Sequence, residues 1–208
     1  LGIQHPFEAV AGERYIQVSL LPLFFSKRFS ATLHLFMPGT LRKLIPPSLL
    51  SWYHLGLAFL GALIYRFPSL GMQVIGVTGT NGKSTTVDMI SRIFREAGFK
   101  TASLSSIRFQ ILDKEWRNTM KMTMPGRFVI QEFLRKAKDA GCTHVVLEVT
   151  SEGMLQHRHR FINFHTAVFI NLSPEHIERH GSFENYKRTK GKLFQAAKRV
   201  HVINAQDE

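Results

Sequence analysis

The sequence predicts an α/β fold in which helices pack on a mostly parallel sheet. Apolar, β-branched runs alternate with segments of helical spacing from Gln73 onward, and the clearest runs are HVVLEV (144–149) and TAVFIN (166–171). Continuous apolar runs are typical of parallel strands that are buried on both faces. Strands that alternate with helices are joined by right-handed crossovers. Ligands of such a sheet bind beyond the carboxyl ends of its strands.

The first strand leads into a glycine-rich loop around which the chain is organised. The strand contains Val74, Ile75 and Val77, and the loop TGTNGKS covers residues 78–84. The next segment has apolar residues at helical spacing, Val87, Ile90, Ile93 and Phe94. A loop of this kind turns backbone N–H groups toward an anion, and the helix N-terminus adds positive potential. We therefore expect a nucleotide triphosphate site and a topology like that of the P-loop NTPases.

The loop also carries the side chains that phosphates and Mg²⁺ require. Lys83 can reach the β- and γ-phosphates, and the Ser84 hydroxyl can ligate the metal ion. The spacing departs from the general pattern G-x-x-x-x-G-K-[ST], because Val77 stands where its first glycine belongs. A glycine-rich turn without a ligand is the alternative. The predicted cofactor-binding residues are Thr78, Gly79, Thr80, Asn81, Gly82, Lys83, Ser84 and Thr85.

Composition limits the classes of partner. The net charge is +12, which nucleic acid, anionic lipid or a polyanionic small substrate would each fit. Neither an aromatic-studded RNA surface nor a basic recognition helix is recognisable, so nucleotide phosphates are the simpler explanation and no nucleic-acid partner is expected. The single cysteine, Cys142, excludes a disulfide framework and suits a reducing compartment. We therefore predict a cytoplasmic protein.

The segment before the loop predicts a hydrophobic helix. Leu49 to Tyr65 contains no formal charge, although its length is short for a transmembrane helix and His54 interrupts it. A buried or surface-docked helix and a membrane-associated helix both remain open. Residues 37–70 are assigned to this helical segment. Residues 1–36 are uncertain, and one hypothesis is a non-native upstream extension, since the first methionine is Met37.

The remaining pattern supplies further strands and helices. Glycines at 98 and 141 are expected to end two of the helices. The predicted elements are a helix over 83–97, a strand over 100–104, a hairpin or edge segment over 108–116, a helix over 126–140, strands over 144–149 and 166–171, a helix over 183–199 and a strand over 200–203.

Polar side chains follow two of the predicted strands where each strand ends. Glu148 closes HVVLEV, and Asn171 closes TAVFIN, where it is expected to shape the loop. The residues that follow are Thr150, Ser151 and Glu152 in the first case and Ser173, Glu175, His176 and His180 in the second. Acidic and imidazole groups beside a phosphate loop suggest divalent metal ions that bridge ATP to a second substrate. For a single glutamate, a solvated loop carboxylate is the alternative.

Taken in order, these segments resemble the central ATPase domain of the Mur ligases, and most closely its UDP-N-acetylmuramoyl-tripeptide synthetase branch. The matching segments are GVTGTNGKSTT (76–86), MTMPG (122–126), LEVTSEGMLQHR (147–158), FINLSPEHIERHG (169–181), FENYKRTKGKLF (183–194) and VINAQDE (202–208). The resemblance covers 74–208. It implies that residues 71–208 form part of a central ATP-binding domain, incomplete at the C-terminus, and that the chain is a fragment.

The resemblance implies roles for individual residues. Lys83 would bind the phosphates of ATP, Ser84 and Glu148 would hold a first Mg²⁺, and His176 would hold a second. Lys190 falls where the family carries a carbamylated lysine that helps to hold the second ion. The implied catalytic residues are Lys83, Glu148, His176 and Lys190, and the implied metal ligands are Ser84, Glu148, His176 and Lys190. Positions that match contacts to the UDP-muramoyl peptide are Thr123, Ser151, Gln156 and Arg158.

The implied activity is that of an ATP-dependent ligase that forms an amide through an acyl phosphate. It would add an amino acid to a UDP-N-acetylmuramoyl peptide in peptidoglycan synthesis. Three positions depart from the family pattern: Met124, Glu152 and Glu175 replace the usual Thr, His and Asp. The alternatives are a non-catalytic or truncated nucleotide-binding module, and another Mur-like ligase such as a folylpolyglutamate synthetase. The segment 156–158 favours the muramoyl-tripeptide branch.

Overall fold

The computed structural model describes residues 46–120, 122–175 and 177–206. The chain divides into two compact units, residues 1–47 and 48–208, and nearly all the described residues belong to the second. The hypothesis for residues 1–36 and the first part of the 37–70 segment fall outside the described residues, so both stay predictions.

Within the described residues, a seven-stranded sheet forms the centre of the second unit. Its strands are β1 (Gln73–Thr78), β2 (Thr101–Leu104), β3 (Arg108–Ile111), β4 (Lys114–Arg117), β5 (His144–Glu148), β6 (Phe164–Phe169) and β7 (Val200–Ile203). The strand order is β4-β3-β2-β5-β1-β6-β7. Neighbouring strands from β2 to β7 in this order pair in parallel, whereas β3 and β4 form an antiparallel edge hairpin. The prediction of a mostly parallel α/β sheet is confirmed.

The register of the central strand places the loop beside a carboxylate. Strand β1 lies between β5 and β6, and its residues Val74 and Val77 are fully buried. Val77 pairs with Glu148, the last residue of β5, so both strands end at the same edge of the sheet. The glycine-rich loop that leaves β1 therefore begins next to the Glu148 side chain.

Six helices complete the described part of the second unit. They are α1 (Pro47–Ile64), α2 (Lys83–Glu96), α3 (Arg127–Asp139), α4 (Ser151–Leu155), α5 (Ile177–His180) and α6 (Phe183–Ala196). Thr150 and Ser182 cap α4 and α6, because each hydroxyl accepts a hydrogen bond from a backbone N–H in the first turn. Helices α4 and α5 were not predicted, since segments this short show no periodicity.

Apolar side chains cover both faces of the sheet. Successive residues of a strand point to opposite faces. Val74 accordingly belongs to the larger apolar cluster, and Val77 to a smaller cluster that includes Val87 of α2. Gly76 allows α6 to approach the sheet, because a Cβ there would lie 2.9 Å from a methyl carbon of Leu193. Since Lys190 lies three residues before Leu193, the same face of α6 carries it toward the loop after β1.

Helix α1 packs against the unit on one of its faces. Ala58 and Ala62 are buried there, and a Cβ on Gly61 would be in van der Waals contact with the Phe128 ring. The hydroxyl of Ser51 lies 2.8 Å from Nε2 of His157. Among the described residues, no helix combines the length and apolar character that crossing a membrane requires.

Candidate active site

A cavity of about 670 Å³ opens at the carboxyl ends of the central strands. Its volume lies within the usual range of small-molecule sites, roughly 300–1,000 Å³. The lining residues come from the loop after β1, the ends of β2 and β5, the segment before α3, and helices α4 and α6. The cavity therefore lies where the strand pattern predicts a ligand site.

The side chain of Asn171 holds the glycine-rich loop in place. Its Oδ1 accepts hydrogen bonds from the backbone N–H groups of Thr80 and Asn81, at 2.9 and 3.0 Å, and its Nδ2 donates to the Asn81 carbonyl at 3.3 Å. Gly82 then adopts a left-handed conformation, with φ of +79°, immediately before helix α2 begins at Lys83. Glycine is required there because a Cβ would strain this backbone. Asn171 therefore shapes the loop, as expected.

The Lys83 ammonium group lies at the mouth of the loop. Its Nζ donates to the Thr80 carbonyl at 2.6 Å, so its direct partner is a neutral oxygen. Burial lowers the pKa of Lys83, and the negative charges of Glu148 and Glu175 partly offset that effect. A half-buried cation whose hydrogen bond goes to a carbonyl can transfer that bond to an anionic ligand.

Glu148 connects three elements through one carboxylate oxygen. Its Oε2 accepts hydrogen bonds from the Ser84 hydroxyl and from the Ser106 backbone N–H, both at 2.8 Å. The hydroxyls of Ser84 and Ser106 lie 2.7 Å apart. Glu148 itself is only 2% exposed. The first turn of α2, the end of β5 and the loop after β2 thus place three oxygen atoms together at the cavity wall.

Lys190 is a buried cation on the other side of the loop. Its Nζ donates to the Gly79 carbonyl and lies 4.7 Å from the centre of the Tyr186 ring. Burial, together with the positive charge of Lys83, lowers the pKa of Lys190 to about 7, whereas Glu175 opposes the shift. Near neutral pH, a substantial fraction of this amine is therefore unprotonated.

The opposite wall of the cavity contains a partly buried guanidinium group. Arg158 donates to Oε1 of Gln156, at 2.7 and 3.2 Å, and to the carbonyl of Met124. Burial lowers the pKa of Arg158, and Glu152 acts in the opposite direction. Nearby, the Ser151 hydroxyl lies 3.1 Å from Nε2 of His180. This wall offers a cation and hydroxyl groups to an anionic or polar substrate.

Comparison with known proteins identifies the family. A family model described as the Mur ligase middle domain matches residues 77–208, which is more than half of the chain. The chain belongs to the Mur ligase family. The Mur ligase match begins inside β1, and helix α1 lies before it.

Individual relatives show which members of the family the chain is similar to. The chain is 38% identical over 152 residues to UDP-N-acetylmuramoyl-L-alanyl-D-glutamate--2,6-diaminopimelate ligase 2 of Clostridium acetobutylicum, covering 73% of this chain and 31% of that protein. It is 33% identical over 165 residues to UDP-N-acetylmuramyl-tripeptide synthetase of a Roseiflexus species, covering 73% and 32%. A solved structure of a UDP-N-acetylmuramoyl-L-alanyl-D-glutamate--2,6-diaminopimelate ligase is 33% identical, with a TM-score of 0.58 over 65% of this chain and 27% of that one. This Mur ligase chain thus spans about a third of the length of the relatives it matches.

The structure brings most of the predicted site residues of this Mur ligase domain to the cavity. The predicted residues that line it are Gly79, Thr80, Asn81, Gly82, Lys83, Ser84, Thr85, Thr123, Glu148, Ser151, Arg158 and Lys190. Two others do not line it. Thr78 is buried within β1, and Gln156 accepts a hydrogen bond from Arg158, which itself lines the cavity. His176 falls outside the described residues. Among the described residues, no group of three or more His, Cys, Asp or Glu side chains could hold a metal ion.

Several cavity residues were missed from the sequence. Ser106 follows β2 at its carboxyl end, so the strand-end rule that identified Glu148 also applies to it. Tyr186, whose hydroxyl lies 3.3 Å from that of Thr80, is not among the predicted residues, and His180, whose ring packs against Tyr186, is predicted only as one of the polar residues that follow β6. Nothing in the sequence indicates these contacts, because they depend on how α6 packs against the loop.

Proposed function

We propose that the protein containing these residues is an ATP-dependent ligase that joins a carboxylate of a UDP-N-acetylmuramoyl peptide to the amine of an amino acid. The observation that carries the proposal is the position of Ser84, which lies in the first turn of helix α2 after the phosphate loop and donates to the Glu148 carboxylate. The names of the relatives support the same substrate class. Because the chain spans only about a third of those relatives, the whole activity belongs to the longer protein.

The residues at the loop fit ATP with a divalent cation. Mg²⁺ prefers oxygen ligands and is usually held by one or two carboxylates or hydroxyls together with substrate phosphates. Ser84 and Glu148 supply such a pair, with their oxygens 2.8 Å apart. When bound, the ion would neutralise charge on the phosphates during transfer. Lys83 would contribute by exchanging its bond to the Thr80 carbonyl for a phosphate oxygen.

Lys190 fits the carbamylated lysine that the resemblance implies. As an ammonium ion it would repel a neighbouring metal, but a pKa of about 7 leaves much of the amine neutral. A neutral amine nitrogen can attack the carbon of CO₂: an N–C bond forms, one C=O π pair moves onto oxygen, and the nitrogen releases one proton. The resulting carbamate carries a negative charge close to the loop. His176 would share the second ion with it under the same proposal.

The opposite wall fits the anionic substrate. Arg158 is held in orientation by Gln156, so its guanidinium group does not have to be ordered when substrate binds. We assign Thr123, Ser151, Gln156 and Arg158 to the UDP-muramoyl peptide, with Gln156 acting through Arg158. Glu152 stands exposed at the same wall and would keep a substrate anion away from its own carboxylate.

The proposed reaction has two steps. A substrate carboxylate oxygen attacks the γ-phosphorus of ATP and ADP leaves, which gives an acyl phosphate. The amine nitrogen of the amino acid then attacks the acyl carbon, loses a proton, and displaces inorganic phosphate. Both steps gather negative charge at the loop, where Lys83 and the N-terminus of α2 stabilise it.

The test uses the full-length protein with ATP, Mg²⁺, UDP-N-acetylmuramoyl-L-alanyl-D-glutamate and single amino acids. We expect phosphate release that needs both the nucleotide peptide and one amino acid, and a product heavier by that residue in mass spectrometry. Lys83→Ala should abolish turnover, whereas Lys187→Ala, at an exposed position on α6, should not. ATP binding without turnover would instead favour a nucleotide-binding module. Turnover only with a folate substrate would favour a folylpolyglutamate synthetase.

A further inference from the structure

Helix α1 exposes a continuous apolar stripe on the face opposite to its packed face. The exposed side chains are Leu49 (59% exposed), Trp52 (71%), Phe59 (46%) and Leu63 (51%). Together with Gly56 they recur every three or four residues, so they share one side of the helix. The residues that contact the protein, among them Ser51, Ala58 and Ala62, lie on the other side. Exposed apolar surface of this extent indicates an interaction site.

Positive charge borders the stripe. Arg66 follows the helix directly, and Arg160 precedes Phe161, whose ring lies 5.4 Å from that of Phe59. Lys138 donates to the carbonyl of Leu70, a further exposed apolar residue. Residues 46–72 contain no aspartate or glutamate. The stripe is therefore flanked by cations and free of acidic side chains along its own length.

The carboxylates of the neighbouring helix are already paired. In α3, Glu132 forms an ion pair with Lys136 at 3.0 Å, and Asp139 forms one with Arg135. Glu132 is also largely buried. These paired carboxylates therefore cancel little of the positive potential of Arg66, Arg160 and Lys138 at the edge of the stripe.

From the exposed stripe and its cationic border, we propose that helix α1 docks this protein on the surface of an anionic lipid bilayer. The helix lies in the plane of the interface, since one face is committed to protein contacts and only the other can enter lipid. Trp52 and Tyr53, both exposed, are residue types that favour the boundary between headgroups and acyl chains. Binding of such a helix combines buried apolar area with attraction to anionic headgroups. The proposal is independent of the ligase reaction.

The test is cosedimentation of the full chain with vesicles of phosphatidylcholine alone or with phosphatidylglycerol. We expect binding to the anionic vesicles that weakens when salt is raised from about 50 to about 500 mM. Trp52→Gln with Leu63→Gln should weaken binding by at least about tenfold, because both side chains leave the lipid. Met89→Gln with Ile93→Gln, at equally exposed apolar positions on α2, is the matched control and should bind as the wild type does.

A second variant tests the charges. Arg66→Gln with Arg160→Gln should lose affinity for anionic vesicles while its thermal unfolding stays unchanged, since both residues are exposed. Absence of vesicle binding by the wild type, or equal binding by the stripe variant and the α2 control, would overturn the proposal. So would a concentration-dependent dimer that the stripe variant abolishes without any lipid binding, because the stripe would then be a protein interface.

Discussion

The Ser84 hydroxyl donates a hydrogen bond of 2.8 Å to Oε2 of Glu148, across the gap between the first turn of α2 and the end of β5. The same carboxylate oxygen accepts from the Ser106 backbone N–H. The carboxylate that we propose as a metal ligand is thereby oriented by the loop that would hold the phosphates. This contact follows from the sheet itself, because Val77 and Glu148 are paired in neighbouring strands.

Glu148→Gln tests whether this carboxylate holds a metal ion. The amide keeps an oxygen that can accept from Ser84 and Ser106, so we expect little change in thermal unfolding. Loss of the negative charge should weaken Mg²⁺-dependent ATP binding by at least about tenfold. Isothermal titration with and without Mg²⁺ measures the effect. Glu96→Gln, an exposed position at the end of α2, is the control, and equal affinities for the two variants would remove Glu148 from the site.

Asn171→Ala tests whether the Asn171 side chain holds the glycine-rich loop in place. The variant loses two accepted hydrogen bonds and one donated bond, so we expect a loss of about 1–3 kcal/mol in the free energy of unfolding. Hydrogen exchange at the amides of Thr80 and Asn81 should accelerate in parallel. Asn204→Ala removes two exposed bonds, one donated to the Ile170 carbonyl and one accepted from the Gln206 backbone N–H, and should cost less than about 1 kcal/mol. Unchanged exchange at the loop amides would contradict the role of Asn171.

Gly82→Ala isolates backbone strain at the start of α2. No atom lies within 4 Å of a Cβ built at Gly82 or at Gly126, which precedes α3, but only Gly82 has a positive φ. We therefore expect Gly82→Ala to destabilise the fold by about 1 kcal/mol. Gly126→Ala should change stability by less than about 0.5 kcal/mol. Denaturant unfolding of the two variants distinguishes strain from steric contact, and equal values would rule strain out.

The lowered pKa of Lys190 predicts that the free energy of unfolding depends on pH. Its pKa falls from 10.5 to about 7 on folding, so between these values the unfolded chain binds a proton that the folded protein does not. The unfolding free energy should then rise with pH across this window and gain nothing from this group below about pH 7. Lys190→Met should flatten the rise, whereas Lys187→Met, at an exposed position of α6, should preserve it. Identical profiles for both variants would contradict the buried, neutral amine.

The central fold could be predicted because its signals are local. Val74 to Val77 and the run 144–149 are rich in β-branched residues and buried on both faces, which leaves few alternatives to central parallel strands. The predicted boundaries differ from the observed ones by one to a few residues at the helix ends, where local signals fade. For 108–116 the sequence predicts a hairpin or an edge segment, and the structure shows a hairpin at the sheet edge, β3 and β4.

The contacts that could not be predicted depend on distant parts of the chain. The position of Lys190 beside Gly79 requires α6 to approach the sheet over Gly76. Neither Lys190 nor Gly76 by itself predicts that approach. Arg158 was assigned to the substrate, but its bond to Gln156 follows from the turn after α4, a helix too short to recognise. Packing between elements, rather than local pattern, therefore determines these parts of the site.

The most direct test of the central claim is calorimetric titration of the protein with ATP in the presence of Mg²⁺, with Lys83→Ala and Lys187→Ala measured beside it. Lys83 should exchange its bond to the Thr80 carbonyl for a phosphate oxygen. The predicted result is Mg²⁺-dependent binding that Lys83→Ala weakens by at least about tenfold and Lys187→Ala leaves unchanged. Binding that is independent of Mg²⁺, or equal for wild type and Lys83→Ala, would contradict a working phosphate loop at this cavity.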